Sequence, residues 1–274
     1  MSDGFFYVSL HHEKSIKMKK IIPFIISLLL VLSAQADVLG AYSLEGTFGD
    51  KIRVKLRFAV NGDEIAVGEI YYPNAKNPAP ILVVGNLLEN DWYAMNEYQS
   101  DGTITGVMSF RIEGEGDEAR IVEGIWTNPK TEQSFPMKNF ESNEELVDVT
   151  EYLDYEDPQQ IGREYAYSIW NPRYDSMMGG NITFRGAGKH KLHFEICNAP
   201  NNIAEGKSAP DRPAVLGDYT YDFFVYENVN ECGYGFGAYF FKKFVVLKTI
   251  TDYDTLGCFG MGTAFDGVYI KIKQ

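Results

Sequence analysis

Apolar and polar residues alternate one for one along most of the chain. From Ile52 to Val60, Ile52, Val54, Leu56 and Phe58 fall on one face, and Arg53, Lys55 and Arg57 on the other. A period of two is the mark of a half-buried antiparallel strand. Asn61-Gly62-Asp63 follows as a hairpin turn, and Glu64–Tyr72 returns. The same reading predicts strands at Ala41–Phe48, Ile81–Val84, Trp92–Tyr98, Thr103–Arg111, Ala119–Trp126 and Gln133–Phe140. Asp101-Gly102 and the charged, glycine-rich Glu113–Glu118 supply turns between them. Eight short strands in regular succession predict an all-β barrel or sandwich.

The rhythm stops at Glu141–Asp157, which holds eight acids and no bases. Asp157-Pro158 then punctuates the chain. Strands resume at Tyr165–Trp170, Asn181–Arg185, Lys191–Cys197, Ala214–Leu216, Tyr219–Tyr226, Tyr234–Phe241, Phe244–Lys248 and Val268–Ile272. Asn198–Arg212 between them reads as a Pro/Asn-rich loop of omega type. The expected architecture is two consecutive antiparallel meander β-barrels, or barrel-like sandwiches. They would span residues 37–140 and 164–274, with 141–163 as an acidic linker.

The first residues read as an address. Lys14, Lys17, Lys19 and Lys20 are basic, and Ile21–Leu32 is apolar apart from Pro23 and Ser27. Ser33-Ala34-Gln35-Ala36 then offers small residues for cleavage before Asp37. That is the pattern of a secretory signal peptide over residues 1–36. The apolar run is too short to span a bilayer, which needs about 20 residues. Met18-Lys19-Lys20 is itself a natural signal start, so residues 1–17 are either an upstream mis-start or an extended basic region. Periplasmic or secreted localisation is the expectation, with no membrane span after cleavage.

The net charge is −13. Removing residues 1–36, with four lysines against Asp3 and Glu13, takes it to −15. Such a surface repels phosphate backbones and anionic lipid, so nucleic acid is a poor partner. Export permits disulfides. Of Cys197, Cys232 and Cys258, the pair Cys232–Cys258 is expected to bridge two late strand-like segments. Cys197 would then remain a buried thiol.

Two groups of segments resemble uncharacterised exported β-barrel proteins of Gram-negative bacteria of the Bacteroidetes type. One runs through Gly68-Glu-Ile-Tyr-Tyr72, Ile81–Gly85, Glu97, Asp101–Gly106 and Gly124-Ile-Trp126. It is also similar in shape to the calycin meander of avidins and lipocalins. The other is Cys258-Phe-Gly-Met-Gly262 with Gly267-Val-Tyr-Ile-Lys271, which departs from the related ending by lacking a glycine directly after the cysteine. The resemblance implies fold and compartment, and no activity. Residues that bind biotin in avidins cannot be matched one by one here, so none is carried over.

No residue pattern calls for catalysis, a cofactor or a metal. Histidines beyond the signal are His190 and His193 alone, and no Gly-x-Ser-x-Gly elbow is present. His193, Glu195 and Cys197 share one strand face, but neighbours on such a face stand about 7 Å apart, too far to hold one ion readily. Glu113, Glu115, Asp117 and Glu118 lack the order of a calcium loop and read as a solvated hairpin tip. Trp92, Tyr93, Trp126 and Trp170 are the candidate ligand-lining residues, with ordinary barrel core as the competing reading. Three functions follow: a non-catalytic exported protein binding a small ligand or an envelope protein; a periplasmic protein inhibitor, such as one of lysozyme, drawn to a basic enzyme by charge; or a glycan hydrolase using two carboxylates. The shape of the interior discriminates among them.

Overall fold

A computed structural model describes residues 38–143, 162–186, 191–199, 204–207, 214–215, 223–228, 234–249 and 266–272. Within Val38–Gln274, which forms one compact unit, the described elements are strands and two short 3-10 turns at Glu89–Asp91 and Gly116–Glu118. The predicted signal segment, His190 and the cysteines Cys232 and Cys258 lie outside the described residues.

The first eight strands are β1 (Val38–Phe48), β2 (Ile52–Asn61), β3 (Ile65–Tyr71), β4 (Ile81–Leu87), β5 (Trp92–Tyr98), β6 (Thr103–Glu113), β7 (Arg120–Thr127) and β8 (Ser134–Ser142). Each pairs antiparallel with the next. β8 then returns to β1, with Leu44 opposite Ser142 and Phe48 opposite Met137. The result is a closed eight-stranded meander barrel, in which the first residues of β6 lack a partner from β7. Closure was not readable from local pattern, because β1 and β8 meet across about a hundred residues. Where the pattern is cleanest the register obeys it: Val54, Leu56 and Phe58 of β2 point into the barrel and are fully buried.

The barrel lumen is filled by side chains. Leu44, Leu56, Phe58, Met95, Met108 and Phe110 are among those buried in it. Tyr93 stacks on Phe110 with ring centroids 5.3 Å apart, and Phe58 meets Tyr93 edge-on at 5.3 Å. Eight strands enclose a space that side chains can just fill, and here large aromatic residues fill it.

The later strands are β9 (Gly162–Asn171), β10 (Ser176–Gly186), β11 (Lys191–Ala199), β12 (Ala204–Lys207), β13 (Ala214–Val215), β14 (Phe223–Asn228), β15 (Tyr234–Phe240), β16 (Phe244–Thr249) and β17 (Gly267–Lys271). β14–β15–β16–β17–β9–β10–β11 form an antiparallel succession, and β12 and β13 both pair with β11. β12 lies inside the segment expected to be an omega loop. Ala-Glu-Gly-Lys has little intrinsic strand preference, so its strand character comes from the partner, Glu195–Asn198 of β11.

Two features join this sheet to the barrel. β7 covers β6 only from Val107 onward. The uncovered start of β6 pairs in parallel with β9, Thr103 opposite Ser168 and Ile104 opposite Ile169. Gly102 permits this approach: its φ is +85°, and an added Cβ would lie 2.3 Å from the Ala166 carbonyl oxygen. The second feature is an apolar layer. Outward residues of the barrel wall, including Ile65, Val67, Val84 and Tyr98, pack with Phe244, Val246 and Ile270 of the later strands. The opposite face of the later strands has its own core, in which Tyr165, Phe184 and Phe240 are fully buried and in ring contact.

Candidate functional site

The most unusual residue of the lumen is Glu97. Along β5 the alternation Tyr93, Met95, Glu97 sends all three side chains inward, and Glu97 is only 2 % exposed. Among the described residues it is the only buried acid. A carboxylate there costs free energy unless its oxygens receive hydrogen bonds.

Three side chains provide them. The Tyr72 hydroxyl donates to Glu97 Oε1 in a short hydrogen bond. Trp126 Nε1 donates to the same oxygen at 2.7 Å. Thr105 Oγ1 donates to Oε2 at 3.4 Å, a much weaker contact. Thr105 comes close because β6 carries an irregularity opposite Glu97 and Tyr98: Gly106 sits across from Glu97, and Ile104, not Thr105, sits across from Tyr98. That extra residue lets Ile104 face the apolar layer while Gly106 faces the lumen. Gly106 leaves the room the carboxylate occupies, since a Cβ there would lie 2.4 Å from Trp126 Nε1 and 2.6 Å from the Glu97 carboxyl carbon.

Aromatic rings seal this end of the barrel. Phe48 stacks on Trp126 at 5.3 Å and meets Tyr72 edge-on at 6.1 Å, while Phe135 covers Trp126 at 5.9 Å. Burial pushes the Glu97 carboxyl above its ordinary range, and the hydrogen bonds from Tyr72, Trp126 and Thr105 pull it part of the way back. Burial also raises the Tyr72 hydroxyl strongly, and the adjacent Glu97 charge raises it further. Tyr72 is therefore held as a donor, not as a phenolate. Glu97 has both oxygens engaged and its neighbours are rings and hydroxyls. The arrangement fixes the geometry of the barrel interior, and among the described residues no second carboxylate faces Glu97.

The four aromatic candidates separate. Tyr93 and Trp126 belong to the lumen. Tyr93 lies among Tyr42, Phe58 and Phe110, with its hydroxyl 3.4 Å from that of Tyr42. Trp92, the preceding residue on β5, belongs to the opposite, outward face and lies across from Arg111. Trp170 is on β9, where the ammonium of Lys130 sits 5.6 Å from its ring centroid. The structure thus brings Tyr93 and Trp126 into one core and leaves Trp92 and Trp170 apart from it. Cys197 and His193 are placed by backbone on β11, opposite Asn181 and Arg185 of β10. Glu113 of the acidic turn is in ion pairs with Arg111 at 2.7 Å and Arg120 at 3.6 Å.

Glu97 and Tyr72 were not singled out as site residues by sequence reasoning. The available signal was a single acid at an inward position of an otherwise apolar alternation.

Outside the lumen, two adjoining grooves run along the barrel wall and share Glu69 and Pro80. One, about 280 Å³, is lined by Lys55, Arg57, Glu69, Tyr71 and Pro80. The other includes Lys242 and Lys243 from the turn between β15 and β16, beside Phe241 and Phe244.

No family model, curated protein or solved structure matches this chain, so the fold and the geometry above carry the functional argument.

Proposed function

We propose that this chain is a non-catalytic exported protein of the bacterial envelope that acts by binding another molecule on its outer wall. The observation that carries the reading is the packed lumen: the space an avidin-like or lipocalin-like barrel would give to a ligand is filled by aromatic and aliphatic side chains and by the tied Glu97 carboxylate. A filled first barrel favours association through the outer surface. We extend the proposal to architecture: the later strands form a second barrel. Its support is that β9 and β17, the first and last of them, pair with each other, as the ends of a meander do when it closes. The acidic segment 141–163 is the link between the two.

Export rests on the signal-like pattern of residues 1–36, and its test is cell fractionation with N-terminal sequencing. The expected result is a periplasmic or secreted protein beginning at Asp37. The binding mode is tested by native mass spectrometry of the purified mature protein and by crosslinking in cells. The expected outcome is a bare protein by mass and a stoichiometric crosslink to an envelope protein. A small molecule carried through purification at one per chain overturns the reading. The net charge of −13 favours a second reading, an inhibitor of a basic enzyme. Co-purification with lysozyme at low salt tests it, and absence of binding there removes it.

A further inference from the structure

The two oxygens of the Glu97 carboxyl are treated unequally. Both strong donors, the Tyr72 hydroxyl and Trp126 Nε1, fall on Oε1. Oε2 has one contact, 3.4 Å from Thr105 Oγ1. An ionised carboxylate accepts on both oxygens, whereas a neutral carboxyl accepts on one and donates from the other. At a residue 2 % exposed, an ionised Oε2 with one weak contact is costly. The donor pattern matches the neutral acid instead. Oε1 is the carbonyl oxygen taking two donors, and Oε2 carries the proton toward Thr105. Thr105 Oγ1 has a second acceptor site, which Gln99 Nε2 occupies at 3.3 Å. Burial pushes Glu97 in the same direction.

Thr105 ties this proton to the rest of the fold. It is the extra residue of the β6 irregularity. It is half-buried and its partner Gln99 is exposed, so solvent reaches Oε2 most directly from this side. Both residues stand at the base of the β5–β6 turn, where the Gln99 amide donates to Thr103 O at 2.9 Å. The tip of that turn carries β9. The Ser168 amide donates to Gly102 O at 3.0 Å, the Thr103 and Ser168 hydroxyls lie 3.3 Å apart, and Ile104 stands opposite Ile169. We propose that the Glu97 proton is a latch: with it in place the barrel mouth is closed, and its loss draws solvent in past Thr105 and loosens the turn that holds β9. The latch does not rest on surface binding and gives the fold a response to acidity. The surrounding groups do not blur that response. Phe48 of β1, Trp126 of β7 and Phe135 of β8 do not ionise, and Tyr72 after β3 is held neutral by burial. Asp101, exposed at the turn, is held below the usual carboxylate range by the Thr103 amide. On the side of the apolar layer, Tyr98 is pushed up to about 12 by burial, beside Tyr167 of β9. Lys130 lies against Trp170.

The test takes two readouts from the mature protein over a series of pH values. Infrared spectroscopy follows the carbonyl band of the neutral carboxyl. Hydrogen exchange, corrected for intrinsic base catalysis, follows the backbone. As pH rises the band should outlast those of the exposed carboxyls. Its loss should coincide with faster exchange in residues 99–104 and 167–169, and not in β2. Glu97→Gln has the shape of the neutral acid, with an acceptor for Tyr72 and Trp126 and a donor for Thr105. It should lack the band and show no rise of exchange with pH. Tyr72→Phe and Trp126→Phe each remove a donor that favours the ionised form, so each should move both readouts to higher pH together. A band lost along with the exposed carboxyls overturns the latch. So does a flat exchange profile in the wild-type protein, or a rise that survives in Glu97→Gln. Movement of one readout without the other refutes the coupling between proton and turn. Circular dichroism confirms that each variant is folded, and the wild-type comparison of band and exchange depends on no variant.

Discussion

Replacing Glu97 by leucine tests whether the lumen is held by the hydrogen bonds described above or by packing alone. Leucine approximates the volume of the glutamate side chain but accepts nothing, so it orphans the Trp126 indole N–H and the Tyr72 hydroxyl. An orphaned buried donor costs about 1–3 kcal/mol. Both rings are half-buried, which puts each at about 1–1.5 kcal/mol on that scale. The expected loss is about 2–3 kcal/mol. Deleting a desolvated carboxylate returns part of that loss wherever the group is ionised. The comparison therefore belongs at acid pH, where the raised value favours the neutral carboxyl in the fold. Urea unfolding followed by tryptophan emission is a suitable assay, since Trp126 is itself one of the donors. With a slope of about 2 kcal/mol per molar, the midpoint should fall by about 1–1.5 M. Tyr72→Phe removes one donor, so Tyr72→Phe combined with Glu97→Leu should cost about 1 kcal/mol less than the two single changes summed. A Glu97→Leu protein as stable as wild type, or strict additivity with Tyr72→Phe, would refute the argument.

Four further outcomes are expected. Glu97→Gln keeps an acceptor for Tyr72 and Trp126 and cannot ionise. Because the folded value of Glu97 lies above its ordinary 4.5, its contribution to stability is fullest below 4.5 and is lost as pH rises through the raised value. The Glu97→Gln variant should therefore gain on wild type from acid to neutral pH in urea melts at a series of pH values, and a flat difference would contradict the burial argument. Gly106→Ala drives a methyl into the carboxylate and indole and should lower stability by about 1–3 kcal/mol, visible in the urea midpoint. Phe244→Ala opens the apolar layer between barrel and later strands and should cost about 3–5 kcal/mol, with hydrogen exchange accelerating in β9, β16 and β17 before β2. Asp50→Asn breaks an exposed ion pair with Lys138, 2.8 Å long, and should leave the thermal midpoint unmoved, as exposed pairs contribute little.

How much of this was legible beforehand depends on how many sides of a strand are covered. β2 could be read directly because Arg53, Lys55 and Arg57 separate its apolar residues. β3 and β4 read less cleanly: Ile65-Ala-Val67 and Val83-Val84 are buried on both faces, one by the lumen and one by the later strands. The start of β10, Ser176–Gly180, was missed because Met-Met-Gly-Gly carries no strand preference; its pairing with β9 makes it a strand. The four aromatic candidates were chosen by residue type, and type does not reveal which face of a strand a ring occupies, so adjacent Trp92 and Tyr93 ended on opposite sides. Glu97 stood out only as part of the family-like pattern and not as a site residue, because its role depends on Tyr72 and Trp126, which lie 25 and 29 positions away. The two wall grooves escaped because each is lined from separate stretches of the chain, one from β2 and β3 and the other from β3, β4 and the β15–β16 turn.

Through the pairing of β9 with β17, the later sheet needs the last described strand to join its first. Once Ser142 is available, the first eight strands contain everything needed to close on themselves. The later sheet has its opening strand waiting for Gly267–Lys271, so it stays incomplete until that segment is delivered. Until Phe241, Phe244, Val246 and Ile270 dock on it, the outward patch of Ile65, Val67, Val84 and Ile104 is uncovered, and bare apolar patches of that kind invite sticking between molecules. A chain cut short before Gly267 should therefore emerge as a finished barrel with an adhesive flank, prone to clump rather than simply to unravel.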